Sequence, residues 1–407
     1  MALYLGLDLG TTGCKAGVFT VDGRLIATAY RECSVECPAF GLAEQDVEKV
    51  WSAARSVLCE AAAAAAAAGF DAREIKALSL SVQGDAVIPV DAEGNPLGPA
   101  ILGMDRRNLA EVEELTAAVG RERLFAMTGM PPHPISSLTK MMWLERHHPK
   151  AREVAGYWHY EEFILRRLGG RALTDLSMAS RSMAFDLLKK EYSPEILFAA
   201  GIIREKLAEA VPSGTIAGEI VPRLADELCL PRGLLLVTGG HDQVCAALGA
   251  GVVRESLAVD STGTAEVIAA TFTRPLLSPE MLTGEYPCYL HAVPGMYFTI
   301  SLNHSGGISF RWLRDNLARA EAAEAAAAGL DAYDYLMRDL PGGPGNVIFL
   351  PHLVGGGTPY GDQKTKGAFL GLTLATSVKD LVLAVIEGLT FELRVNLEAL
   401  AKAGLRI

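Results

Sequence analysis

Leu5, Leu7 and Leu9 alternate with Gly6 and Asp8, and after a short polar interval Ala16 and Val18 resume the alternation. Period-two hydrophobicity predicts two strands, and Gly10-Thr11-Thr12-Gly13 between them is too small and polar to enter a core. The stretch from Tyr4 to Phe19 is therefore expected to be a β-hairpin. A helical pattern follows from Val47 to Ala68 and stops at Gly69; its eight consecutive alanines are good helix formers and carry no chemistry. "IKALSLSVQGDAVIPVDAEGNPLGPAI" then predicts a strand, a polar interruption, a second strand and a turn at Asp91 to Asn95. "LLLVTGGHDQVCAALGAGVV" predicts a strand, a glycine turn and a helix from Val244 to Leu248. Strands alternating with helices give an α/β class. Near Leu257 the opening pattern recurs in "LAVDSTGTAEVIAATF", a strand, an Asp-Ser-Thr-Gly-Thr turn and a strand. Two such hairpins suggest a duplicated fold whose halves face each other across a cleft, with a boundary near Thr238 separating residues 1–238 from 239–407. A chance similarity of two Gly/Thr turns is the alternative.

Length and charge narrow the function. A chain of 407 residues exceeds what one core normally holds. With 50% hydrophobic and 21% charged residues it has the composition of a soluble globular protein. A net charge of -11 and a pI near 5.3 argue against coating nucleic acid or an acidic membrane, so the expected partners are small molecules. The seven cysteines are scattered and odd in number, and Cys33 and Cys37 stand too isolated for a zinc site. Neither a secretory leader nor an apolar run of about 18 residues occurs, and the expected compartment is the cytoplasm.

The first turn has the chemistry of an anion cradle. Gly10 and Gly13 permit positive φ, Thr11 and Thr12 bring hydroxyls and backbone N–H groups, and Lys15 adds a positive charge. An ordinary surface hairpin would look similar, but Asp8, a carboxylate ending an apolar strand, makes structural sense if it holds a cation that also touches phosphate. The Gly263/Thr264 turn offers a second set of backbone donors. Asp242, after Gly239 and Gly240, reads either as a helix N-cap or as a general base that takes a proton from an alcohol attacking phosphorus. His241 is the alternative base. A metal carboxylate, phosphate donors and a base suffice for phosphoryl transfer. The sequence holds no Walker-type Gly-x-x-x-x-Gly-Lys-Ser/Thr and no protein-kinase set.

These residues carry a family resemblance. "GLDLGTTGCKAGVF", "GGHDQ", "DSTGTAEV" and the long stretch from Phe349 to Leu393 resemble the phosphate motifs, catalytic segment and C-terminal signature of the FGGY carbohydrate kinases, relatives of glycerol kinase and xylulokinase. The resemblance runs the length of the chain. It implies two actin-like, ribonuclease H-like α/β domains, ATP with Mg²⁺ as cofactors, and transfer of the γ-phosphate to a sugar or polyol hydroxyl. It makes Asp242 the base, Asp8 the carboxylate near Mg²⁺, and Thr12 and Thr264 phosphate contacts. It also brings Gly306 and Gly307 close to the nucleotide phosphates, although a helix-leading turn would explain them equally.

The substrate segment departs from the family. Gln83 and Asp85 occupy the place where relatives address sugar hydroxyls, whereas Gly103 stands where the family usually shows Trp, and Ile135 where glycerol kinase places an aromatic. Losing two aromatic walls widens the pocket and points away from glycerol, toward a larger sugar or sugar alcohol. Asp105 and Arg106 match the family and read either as ligand contacts or as a structural ion pair. The chain ends at Ile407, short of the Gly-rich loop that holds adenosine in relatives. This leaves an incomplete second domain and an apolar helix face near Val382 to Leu400 for a homodimer partner or a completing chain to cover. A sugar-binding or regulatory protein without turnover, or an inactive fragment, is thus the competing expectation. A chaperone-like or actin-like ATPase with a protein partner fits the long kinase signature poorly.

Overall fold

The N-terminal alternation folds as a hairpin. In the structure, a computed structural model that describes residues 2–362 and 364–407, β1 (Leu3–Leu9) pairs antiparallel with β2 (Gly13–Thr20), placing Asp8 opposite Lys15 and Leu9 opposite Cys14. Leu3, Leu5, Leu7 and Leu9 are all buried, while the intervening positions are not. The Gly10 N–H closes the turn on the Gly13 carbonyl at 3.0 Å. Neither glycine takes positive φ, which corrects the reason expected for them. Gly13 is required because β3 (Leu25–Glu32) passes so close that a Cβ there would lie 2.6 Å from the Arg31 carbonyl oxygen.

Asp46 caps α1 (Val47–Ala67), accepting from the N–H groups of Glu48 and Lys49. The alanine run gives the helix a thin face, for Ala61, Ala62 and Ala65 are buried together with Val50, Ala54 and Leu58 at helical spacing. After α1 come β4 (Ile75–Val82), α2 (Ser137–His147), α3 (Tyr160–Leu168), α4 (Leu176–Arg181), β5 (Ile216–Glu219) and β6 (Leu235–His241). One six-stranded sheet in the order β5-β6-β4-β1-β2-β3 carries the core. Its β1, β4 and β6 run parallel and its two flanks antiparallel, so a carboxylate on β1 and polar groups ending β4 and β6 emerge at neighbouring strand ends.

The described residues divide into two compact units after Val253, and the first also takes in Thr273–Pro275 and Cys288–Tyr297. The boundary expected near Thr238 falls inside β6. Residues 239–241 complete that strand beside Ser81 and Val82, and α5 (Asp242–Gly249) follows without a break, so the catalytic-type Asp belongs to the first unit.

In the second unit β7 (Ala258–Thr262) and β8 (Glu266–Phe272) form the second hairpin, with β9 (Tyr297–Asn303) beside β8. α6 (Gly307–Asn316), a two-stranded ribbon of β10 (Ile348–Leu350) and β11 (Ala368–Leu370), and α7 (Val378–Lys402) complete it. Leu313, Phe349, Val382 and Val385 share its core. The face of α7 expected to be apolar and bare is partly polar and buried. Asn396 accepts from Tyr286 and Thr358, and Glu392 lies 3.3 Å from His352, while Phe391 and Leu397 are exposed. No helix among the described residues is long and apolar enough to cross a membrane.

The contact between β6 and β4 has a direct test. A Cβ at Gly239 would lie 1.6 Å from the Leu80 carbonyl oxygen, whereas one at Gly249 meets nothing within 4 Å. Gly239→Ala is expected to destabilise the protein by about 2 kcal/mol or more. Gly249→Ala, at the end of α5, is expected to be neutral or stabilising by up to about 1 kcal/mol. Urea unfolding checks both, and an unchanged midpoint for Gly239→Ala contradicts the strand contact.

Candidate functional site

Asp8 leaves the end of β1 next to Ser81 of β4, whose hydroxyl donates to Asp8 Oδ1 at 2.7 Å. The adjoining turn is braced from below by buried amides. Gln45 Nε2 donates to the Thr11 carbonyl at 2.7 Å, Gln83 Nε2 donates to Gln45 Oε1 at 2.8 Å, and the Thr11 hydroxyl donates to Gln83 Oε1 at 3.0 Å. Tyr160 adds a fourth link to Gln45 at 3.1 Å. Gln83, expected to face sugar hydroxyls, is therefore committed to holding the turn. Thr12 and Lys15 are exposed, with the Thr12 carbonyl taken by the Cys33 N–H at 3.0 Å.

Asp85 is buried and sits at φ 64°, a left-handed conformation that costs a non-glycine residue about 1 kcal/mol. Its Oδ2 accepts from Arg181 Nη2 at 2.5 Å, and the Arg181 guanidinium lies 4.8 Å over the Tyr289 ring. A Cβ at Gly84 would lie 2.7 Å from His241 Nε2, and one at Gly103 would lie 3.2 Å from the Gly84 carbonyl oxygen and 3.5 Å from Ile135 Cγ1. The two small replacements noted in the sequence thus flank the same spot, beside Asp85.

Asp105 settles as a structural group. Its carboxylate accepts from the Ala43 N–H at 2.6 Å and from Arg107 three times, through the backbone N–H, Nε and Nη2, at 2.8 to 2.9 Å. The ion-pair partner is Arg107, not the expected Arg106, which is exposed. Arg107 is also held by Glu44 at 2.6 Å and lies over Trp143.

Asp242 is the first residue of α5 and His241 its N-cap, so the capping role considered for Asp242 does not apply. Its Oδ1 accepts from the Gln243 N–H at 2.6 Å and lies 3.1 Å from His241 Nε2. Burial pushes its carboxyl up to about 6, and the charges of Asp8 and Asp85 add to that rise. Burial, with Arg181 nearby, drives His241 well below the usual imidazole range, so the ring is neutral. With Tyr289 OH 3.3 Å from Nδ1, the arrangement suits a neutral ring that presents Nε2–H to Asp242.

Several residues beneath this site escaped the sequence reading. Glu161 of α3, fully buried, accepts from the Gly239 N–H at 2.8 Å and the Asp175 N–H at 2.7 Å. Asp175, the N-cap of α4, accepts from Ser177 and Met178 N–H groups and from Ser213. The Ser177 hydroxyl accepts the His241 N–H at 3.0 Å. Burial raises both carboxyls, and each is held by donors rather than by a cation. The Asp-x-Ser spacing at 175–177 is a readable capping signal; nothing local marks Glu161 or Arg181. Lys140 of α2 is likewise buried, donating to the Pro134 and Ile135 carbonyls at 2.8 and 2.5 Å, with burial lowering it to about 8.

In the second unit the expected phosphate residues do come together. The Gly307 N–H donates to the Gly263 carbonyl at 2.8 Å and the Ile308 N–H to the Thr264 carbonyl at 3.2 Å, so the start of α6 rests on the hairpin turn. A Cβ at Gly306 would lie 2.5 Å from the Ala265 carbonyl carbon, which accounts for that glycine by packing.

Among the described residues no group of three or more His, Cys, Asp or Glu side chains is placed to hold a metal. Mg²⁺ bound with a nucleotide needs no such cage, since it takes one or two carboxylates and completes its shell with phosphate oxygens and water. Asp8 fits that demand: its Oδ1 is fixed by Ser81 on a rigid strand end beside a turn of small residues.

The FGGY family of carbohydrate kinases matches over nearly the whole chain, its N-terminal domain over residues 3–249 and its C-terminal domain over 258–407. The xylulose kinase of Lactococcus lactis is 28% identical over 99% of this chain and 77% of its own length. The gluconokinase of Bacillus subtilis is 27% identical over 96% and 75%. Among solved structures, the xylulose kinase from Rhodospirillum rubrum is 28% identical and superposes with a TM-score of 0.86, covering 99% of this chain and 79% of that one. The two-domain actin-like α/β fold and the phosphotransferase class with an alcohol acceptor follow, and the chain belongs to the FGGY family of carbohydrate kinases.

Proposed function

We propose that this protein transfers the γ-phosphoryl group of Mg-ATP to a hydroxyl of a sugar or polyol, with Asp242 as the general base. The observation that carries the reading is the state of Asp242. Its carboxyl is raised to about 6, near enough to neutrality to exchange a proton and still ionised at pH 7. The Gln243 N–H and His241 both address Oδ1, which leaves Oδ2 for the alcohol.

Bound Mg-ATP supplies the phosphoryl group and the cation that neutralises its charge. Asp8 is the carboxylate toward the metal. The turn Gly10, Thr11, Thr12 and Lys15 contributes N–H groups, hydroxyls and an ammonium for phosphate, and its shape is fixed in advance by Gln45 and Gln83. Gly263, Thr264, Gly306 and Gly307 form the second phosphate element. Gly307 serves there through its packing, because its N–H is engaged by Gly263. Asp85 is the substrate-facing carboxylate. His241, neutral and hydrogen-bonded, holds Asp242 without competing for the proton.

The test is ADP release with ATP, Mg²⁺ and a panel of ketoses, aldoses and polyols. Stimulation by at least one sugar is expected. If none stimulates while one of them still raises the unfolding midpoint, the protein binds sugar without phosphorylating it and the kinase reading fails.

Asp242→Asn is expected to retain sugar binding and lose turnover by about a hundredfold or more; a near wild-type rate removes Asp242 from the role of base. Since the wild-type base must be ionised, the turnover rate is expected to be flat above pH 6 and to fall about tenfold per unit below it. A carboxyl raised in the folded state favours folding at low pH and loses that contribution as pH rises through about 6. Asp242→Asn is therefore expected to raise the unfolding midpoint at pH 7 by calorimetry, and a lowered midpoint would show that the buried charge is not a burden.

A further inference from the structure

The ion pair between Asp85 and Arg181 is only half satisfied. Arg181 is 3% exposed and Asp85 1% exposed, and a single hydrogen bond joins them, Arg181 Nη2 to Asp85 Oδ2 at 2.5 Å. Arg181 Nε, Arg181 Nη1 and Asp85 Oδ1 are buried without a hydrogen-bond partner among the described residues. Each such group carries a desolvation penalty, and the left-handed backbone of Asp85 adds strain at the same point. Buried charged groups left open in this way are uncommon, and three such atoms meet at this one ion pair.

Two glycines and an aromatic ring define what lies against the cluster. Glycine at 84 lets the His241 ring pack beside Arg181 Nε, which would lie 3.2 Å from a Cβ there, and a Cβ at Gly103 would lie 3.8 Å from Asp85 Cβ. The Tyr289 ring beneath the guanidinium fixes its plane. His241 Nε2, 2.7 Å from that same absent Gly84 Cβ, is the atom 3.1 Å from Asp242, so the open pair adjoins the base. The Lys140 ammonium nearby donates to the Pro134 and Ile135 carbonyls and so fastens that loop.

We infer that Arg181 is a specificity-determining residue that acts with Asp85 to select neutral hydroxyl groups; this rests on the kinase reading above. One substrate hydroxyl donates to Asp85 Oδ1 and accepts from Arg181 Nη1, and a neighbouring substrate oxygen accepts from Arg181 Nε. A hydroxyl can donate and accept at once, whereas a carboxylate has no proton for Asp85 Oδ1 and sets two negative oxygens against each other. The pair therefore selects a neutral ketose or polyol with adjacent oxygens over an aldonate. The relatives include kinases named for each kind of substrate, so the choice is open to measurement.

ADP release with Mg-ATP is measured for carbon-matched ketoses, polyols and aldonates, with D-gluconate as the aldonate probe. The expected result is a kcat/KM for the best neutral substrate at least about a hundredfold above that for any aldonate. Arg181→Lys, which keeps the charge but loses the planar donors, is expected to raise KM for the neutral substrate about tenfold or more with a smaller change in kcat. Asp85→Asn, which removes the negative oxygen, is expected to narrow the gap between neutral substrate and aldonate. A preference for the aldonate, or an unchanged KM in Arg181→Lys, overturns the inference and leaves the kinase reading standing. If no substrate releases ADP, or the variants do not fold, the unfolding midpoint of the wild-type protein with each ligand alone decides. A shift with neutral polyhydroxyl compounds and none with gluconate upholds the selection; a shift with gluconate, or with neither, overturns it.

Discussion

The buried carboxylate of Glu161 is the constraint on which the site depends. Its two oxygens take the N–H groups of Gly239 and Asp175, residues on different elements that would otherwise have no reason to meet. Asp175 in turn caps α4, at whose end Arg181 stands, and Ser177 accepts the His241 N–H. Burial raises this carboxyl, and two backbone N–H donors hold its oxygens where a cation would have been expected. The consequence is geometric. The strand end carrying His241 and Asp242 and the helix end carrying Arg181 are fixed to a common support, so the proposed base and the guanidinium are held to one frame.

Burial acts on the two adjacent members of the Gly-Gly-His-Asp segment in opposite directions. It disfavours whichever form is charged, raising Asp242 toward neutrality and lowering His241 far below it. Both shifts suit the proton transfer proposed for Asp242. The aspartate becomes a stronger base, while the histidine stays neutral and offers a hydrogen bond without a competing proton. An ionised histidine in this place would form a salt bridge with the aspartate and weaken it as a base.

The periodic elements were legible in the sequence, because alternation over Leu3 to Leu9 and helical spacing in α1 are local signals. So were the two phosphate-type hairpins and the segment bearing Asp242. What could not be read depends on long-range contacts. Glu161 and Gly239 are 78 positions apart, and Gln83 reaches Gln45 across 38, so nothing near either residue announces its partner. The division between units was misplaced because the glycines at 239 and 240 resemble a turn, whereas they let β6 approach β4 and continue to His241. Asp105 was correctly suspected of an ion pair, but choosing between Arg106 and Arg107 required knowing which side of the loop faces the core. Gly10 and Gly13 were noticed for the wrong reason, conformational freedom instead of close approach.

The proposed substrate end of the site is shaped as much by missing atoms as by present ones. A Cβ at Gly103 would meet the Gly84 carbonyl oxygen at 3.2 Å, Ile135 Cγ1 at 3.5 Å and Asp85 Cβ at 3.8 Å, so a glycine and an aliphatic side chain stand at this corner. An aromatic residue in such a place would cover the open atoms of Asp85 and Arg181 with a ring face that can neither donate nor accept strongly. Without such a ring, Asp85 Oδ1 and Arg181 Nε and Nη1 keep the unmatched hydrogen-bonding capacity on which the proposed ligand contacts draw. In the reading proposed here, recognition of an oxygen-rich substrate at this corner rests on the Asp85 and Arg181 atoms rather than on a ring face.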